Sequence, residues 1–341
     1  MAEVPDQRYL GFEFWNNGCF YDNVGEQIAM FGVVEMERFF SSLDEMFESP
    51  LGRKVIFAAT DAEEWVVRGH SRFRIGAWFG RKKTKAELQR RALVMGWGFF
   101  QGDSILSPCH DGLCVGLALA HREHLSGVRW NVQWQQLSSE RIELVYEPNE
   151  RTTNESPQEK CGLWSQGLPF SVGSTTFDLD LDLRSFGFFR NEERCFFLPV
   201  SLFSCLYSSL IGRPMSTNAD ATLDCQIEAL NHATTFRAVL YSSRATFLHH
   251  DFPVFVQTVS DWEALLSQRI SQRGLGEVSV RTCVIEGEDA THFVVRSTLP
   301  AYVCGLLVGM WERAVGSRSS IGVVGTSSGV ELRVKYPVLD Y

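Results

Sequence analysis

Two stretches of this chain, one closing each half, read alike. Laid together without gaps, Asp111–Pro148 and Pro300–Pro337 agree at nine of 38 positions, where average composition gives about two. The shared residues are Gly116/Gly305, Leu117/Leu306, Glu123/Glu312, Gly127/Gly316, Arg129/Arg318, Ser138/Ser327, Ser139/Ser328, Val145/Val334 and Pro148/Pro337. Each stretch spells a helix, a glycine at its C-terminal end, a strand, a serine turn and a second strand. A helix that ends in the left-handed region needs glycine, so Gly127 and Gly316 predict C-caps. The closing strands alternate as Ile142, Leu144, Tyr146 and as Val330, Leu332, Val334, Tyr336, one residue out of phase. A one-residue slip turns every side chain over, so turns that differ by one residue are predicted.

The likeness extends upstream. Phe39 to Leu51 followed by Gly52-Arg53 parallels Phe197 to Ile211 followed by Gly212-Arg213, and Gly96-Trp97-Gly98 parallels Gly274-Leu275-Gly276. The 341 residues then divide into related domains over 1–150 and 167–341, with a linker at 151–166 inside the polar run Glu147–Gln166. Helices are predicted at Gly25–Phe47, Lys83–Val94, Gly112–Leu125, Leu198–Ile211, Trp262–Gln272 and Ala301–Val315. Strands are predicted at Lys54–Ala59, Arg129–Gln135, Arg141–Tyr146, Thr175–Leu183, Thr222–Glu228, Thr235–Tyr241, Val278–Glu286, His292–Arg296, Ser320–Val324 and Val330–Tyr336. Strands in adjacent pairs between helices argue for an α+β fold with antiparallel sheet in each half, the halves packing as a pseudo-dimer.

Charge and composition narrow the partners. Thirty-two basic against 41 acidic residues leave −9, which disfavours a broad nucleic-acid surface. The N-terminal ten residues are polar, and Tyr302–Trp311 is only about half the length of a membrane span. Nine scattered cysteines without a CxxC pair read as reduced thiols, and the expected location is cytoplasmic.

The unit formed by a glycine-containing helix, a Gly-Arg stop and a strand–turn–strand resembles the 4-vinyl reductase domain. The stretches that carry this are Leu299–Pro337 and Phe197–Tyr241. Related modules occur in vesicle-tethering subunits and in aromatic-sensing inputs of bacterial activators, so the resemblance implies an α+β platform for a ligand or partner, commonly dimeric. Family members often hold a metal through an acidic residue and two cysteines. Here Cys225 stands at one such place, Thr222 replaces the acid, and the C-terminal copy has no cysteine, so no metal is expected.

Several residue groups suggest chemistry. Cys109, His110, Cys114, His121 and His124 are the densest set of ligand types, yet His121 and His124 also suit the negative end of a helix. His249-His250-Asp251 reads as a loop, and Asp178, Asp180 and Asp182 as one solvent face of a strand. Gly325-Thr326-Ser327-Ser328-Gly329 spells a nucleophile elbow, but a strand follows it, so a hairpin turn is expected. Arg81, Lys82, Lys83 and Lys85 form a basic patch in a loop ahead of a helix, fit for a phosphate or an acidic partner. Trp97, Phe99, Trp130 and Trp134, with His121, are the candidates for a ligand- or partner-binding surface. No catalytic residue, cofactor or metal is predicted. The expected role is a structural or adaptor protein working through a protein partner or homo-oligomer. A sensor of a small apolar or aromatic ligand is the alternative, and an enzyme ranks third.

Overall fold

The fold is described from a computed structural model covering residues 11–337, apart from 16, 77–79, 153–162, 165–178, 180, 185–186, 217–223, 251 and 285–288. In the first half, strands β1 (Glu13–Phe14), β2 (Phe20–Tyr21) and β3 (Gln27–Gly32) lead into helices α1 (Val33–Glu45), α2 (Lys54–Gly69) and α3 (Gly80–Val94). Strands β4 (Phe99–Gln101) and β5 (Ser104–Leu106), helix α4 (Asp111–Ser126) and the hairpin β6 (Val128–Ser138) and β7 (Arg141–Thr152) follow. The second half runs β8 (Asp182–Arg184), β9 (Gly187–Arg190), β10 (Glu193–Pro199), α5 (Val200–Ser208), β11 (Cys225–Glu228), α6 (Ala233–His249) and α7 (Val259–Arg269). It closes with β12 (Glu277–Thr282), β13 (Thr291–Arg296), α8 (Pro300–Val315), β14 (Ser320–Thr326) and β15 (Gly329–Lys335). The fold is thus α+β, and its sheets are antiparallel except where β11 runs parallel to β14.

The halves have similar orders, a strand running straight into a helix, two more helices, a strand pair, a helix and a hairpin, but the second inserts β11 between α5 and α6. They share a sheet, β1-β2-β3-β10-β9-β8, in which β3 and β10 pair antiparallel with Met30 opposite Phe197. Beyond that seam the helices cross over. The α1 helix packs on α6 of the second half, and α5 packs on α2 of the first. One hydrophobic core therefore runs through both halves, with a small separate cluster of Val66, Val67, Phe73 and Leu88 in the first. Trp164 joins the shared core, donating from Nε1 to the Asn231 carbonyl at 2.8 Å and lying edge-on to Phe236.

The repeat landmarks occupy matching places. Gly127 and Gly316 cap α4 and α8 with φ of 76° and 70°, and Gly52 and Gly212 also take positive φ. The hairpin turns fall at 139–140 and 327–328, one residue out of step in the gapless alignment, and a bulge follows Gln136. That shift buries Ile142 and Leu144 in one hairpin and Val330, Leu332 and Val334 in the other.

Elsewhere the expected secondary structure is corrected. Gln27–Gly32 is a strand rather than the start of a helix: five of its six residues are buried, so no alternation marks it. The runs at 54–59 and 235–241 belong to helices α2 and α6, which bury residues at i, i+3 and i+4 along their length. Short apolar runs read identically for a buried strand and a buried helix, and packing decides between them. Leu198 and Pro199 end β10 and precede α5 rather than opening it. Glu147–Thr152 continues β7 instead of starting a linker. The basic run begins inside α3, and His249 ends α6 rather than sitting in a loop. Asp182 lies in β8 and pairs with Arg184 at 2.8 Å, whereas Asp178, Asp180 and Asp251 fall outside the described residues.

Candidate functional site

The α3 helix opens on Gly80, so Arg81, Lys82 and Lys85 lie at i, i+1 and i+4 on its first turns. With Leu88 and Gln89 they present one continuous face, while Lys83 does not line it. That face forms one wall of a groove of about 490 Å³. The opposite wall is α4, through Ala118, His121, Arg122 and Leu125, and aromatic side chains from the sheet β4-β5-β7-β6 close the floor. Trp130 and Tyr146 lie edge-on, 6.3 Å between ring centroids, and the Arg122 guanidinium sits 4.4 Å from one ring and 4.0 Å from the other. Trp130 is pinned through Nε1, which donates to Ser126 Oγ at 2.8 Å. Burial pushes the Tyr146 phenol up, so it stays protonated.

Electrostatics give the groove one sign. Arg122 pairs with Asp103 at 2.7 Å, but no ion pair reaches Arg81, Lys82 or Lys85 among the described residues. These cations also crowd the positive end of a helix dipole, an arrangement that costs a few tenths of a kcal/mol per charge, up to about 1. An anion in the groove would relieve that cost.

Behind the groove lies a buried ionic chain. His121 donates from Nε2 to Glu63 at 2.9 Å, Arg91 donates from Nε to the same carboxylate at 2.9 Å, and Arg91 Nη1 reaches Asp22 at 2.5 Å. Burial opposes the charge on Glu63, but the Arg91 guanidinium and the His121 hydrogen bond hold its carboxyl below the usual range. The chain locks the His121 ring against Phe100, and Arg91 under Trp97. Glu63 and Glu64 fall beyond the strand expected at Lys54–Ala59, in a stretch given no element by its sequence, and only helix α2 places them inward.

The expected surface residues are split by the fold. His121 and Trp130 join the basic run in the groove. Trp97 is instead a core residue, fully buried, with Nε1 donating to the Phe197 carbonyl at 2.7 Å. Phe99 is half-buried at the start of β4 and does not line the groove. Trp134 lies two pleats beyond Trp130, roughly 13 Å along β6, 38% exposed beside Arg53 and Phe57. The cysteine–histidine set is likewise dispersed. His110 caps α4 through Nδ1, Cys109 and Cys114 lie 3.6 Å apart in the core, and His124 donates to the Phe73 carbonyl. Among the described residues no three His, Cys, Asp or Glu side chains converge as metal ligands, and no helix is long and apolar enough to cross a membrane. Ser327-Ser328 forms the β14–β15 turn, as its sequence predicts.

Comparison with protein families, curated proteins and solved structures found no match.

Proposed function

We propose that the protein binds a small anionic amphiphile in the α3–α4 groove, with its acidic group on Arg81, Lys82 and Lys85 and its apolar or aromatic body over Trp130, Phe100 and Leu125. The observation that carries this reading is the set of three unpaired cations on one helix face opposite an aromatic floor. Size and lining agree with a ligand site, which needs several hundred Å³ of largely apolar wall and a few polar anchors. His121 commits Nε2 to Glu63, which favours binding over acid–base chemistry there. The buried cysteine thiols suit a reducing cytoplasm.

The test is calorimetric titration with 1-naphthyl phosphate, with 1-naphthol as the uncharged control. The triple substitution Arg81→Ala/Lys82→Ala/Lys85→Ala lowers phosphate affinity at least tenfold, about 1.4 kcal/mol, leaves the naphthol response unchanged and does not lower Tm. Equal phosphate binding by the triple variant sinks the proposal. An adaptor role through protein contacts is the second reading, favoured by β6, an eleven-residue strand that among the described residues pairs only with β7 and carries exposed Trp134 and Leu137. Concentration-dependent mass by light scattering would support it as a homo-oligomer.

A further inference from the structure

A second cavity, of about 320 Å³, opens where the two halves meet, beside the β3–β10 seam, and shares no lining residue with the groove. Its walls come from β3, α1, the β9–β10 turn and the ends of α6 and α7, with Leu306 and Met310 of α8 beneath. Part of its polar lining is already satisfied. Glu35 accepts from Arg273 at 2.5 Å, from Tyr302 at 2.6 Å and from the Gly32 amide at 3.0 Å. Arg273 also donates to the Met30 carbonyl, so this pair serves the fold.

Two half-buried charges of opposite sign face the same space, and among the described residues neither makes a direct ion pair. Arg269, the last residue of α7, is half-buried and rests 4.2 Å over the Phe252 ring, with no carboxylate against it. Burial, then the neighbouring Arg273 charge, pulls its pKa down, and the Glu35 and Glu193 carboxylates offset this only in part. Glu193 opens β10, and no hydrogen bond or ion pair reaches its carboxylate. Burial and the charge of Glu35 push that carboxyl up. Arg269 and Glu193 both line the cavity, and each feels the other's charge without a direct ion pair between them. Gly32 makes room for Glu193, because a Cβ there would lie 2.2 Å from Glu193 Oε1. His250, stacked on Phe252 at 5.3 Å, adds a buried Nε2 without a partner.

Buried charge is costly unless paired, and a ligand of one sign would satisfy one of these groups while repelling the other. A molecule carrying both signs satisfies both, and Phe31, Phe247, Leu306 and Met310 then receive an apolar remainder. We propose that the seam cavity binds a small zwitterion, an α-amino acid with an apolar side chain, its carboxylate on Arg269 and its ammonium on Glu193.

Calorimetric titration of the full chain with L-phenylalanine, L-leucine, L-methionine and L-valine tests this, with phenethylamine and 3-phenylpropionate as single-charge controls. At least one amino acid binds, and the matching single-charge controls bind tenfold or more weakly. Arg269→Gln abolishes the preference for phenylalanine over phenethylamine, and Glu193→Gln abolishes the preference over 3-phenylpropionate. The groove variant Arg81→Ala/Lys82→Ala/Lys85→Ala leaves all of these values unchanged, so failure here is separate from failure of the groove reading. Absence of binding by all four amino acids overturns the proposal, as does binding whose charge preference survives both single variants. Circular dichroism confirms that the variants fold. His250→Phe, which keeps the stack on Phe252, provides a third variant expected to weaken binding severalfold.

Discussion

Glu63→Ala lowers the free energy of unfolding by about 4 kcal/mol, measured by urea denaturation at neutral pH. The size follows from what remains behind. Arg91 is buried, with Glu63 at 2.9 Å and Asp22 at 2.5 Å, and removal of Glu63 leaves that guanidinium with half its countercharge. His121 loses its Glu63 hydrogen bond, the one it makes among the described residues, at the same time. The exposed pair Arg141–Glu143 offers the contrast: solvent screens it, and Glu143→Ala costs under about 1 kcal/mol. A loss below about 1.5 kcal/mol for Glu63→Ala would show that water enters the network. The pH dependence has a definite sign. The folded-state pKa of Glu63 lies below its unfolded value, so the ionised carboxylate stabilises the fold above the unfolded pKa. That contribution disappears as pH falls through the folded pKa, and wild type loses stability below about pH 4.5. Glu63→Gln removes this part of the acid sensitivity. Glu35, whose burial is outweighed by Arg273 and the bonds from Tyr302 and Gly32, retains its own share.

Gly305→Ala and Gly116→Ala each destabilise by about 3 kcal/mol, and by similar amounts. At Gly305 a Cβ would lie 2.1 Å from the Leu240 carbonyl of α6, and at Gly116 it would lie 2.3 Å from the Ile56 carbonyl of α2. Backbone cannot swing aside as a long side chain does, so α8 or α4 must back away from its partner helix, loosening packing on both sides. Gly127→Ala is the internal control. A Cβ there meets nothing within 4 Å, and its cost comes only from φ of 76°, about 1 kcal/mol. Thermal and denaturant unfolding check all three. A cost at Gly305 no greater than at Gly127 would contradict close helix contact. Strongly unequal costs at Gly116 and Gly305 would break the structural correspondence of the halves.

Legibility differed sharply between elements. Each glycine landmark was readable because left-handed backbone and close helix approach admit few other residues. The β14–β15 turn was readable from local chemistry, Ser-Ser between alternating strands. Helix α3 was seen, but its start was placed three residues late, which hid the fact that Arg81, Lys82 and Lys85 share a face with Leu88. Trp97 and Trp134 looked equivalent to Trp130 because sequence records aromatic character without burial, and burial separates them into core, surface and groove.

By itself, then, the sequence determined the α+β class, the capped helix ends and the closing hairpins, all properties of residues within about a dozen positions of one another. Only tertiary structure decided whether 27–32, 54–59 and 235–241 became strand or helix, because segments buried on all sides lose the periodicity that would tell them apart. It also decided both candidate sites. Arg273 meets Glu35 across 238 residues of chain, and Arg91 meets Asp22 across 69. Those pairings form because burial strips water from each charge and leaves its distant partner as the remaining source of compensation.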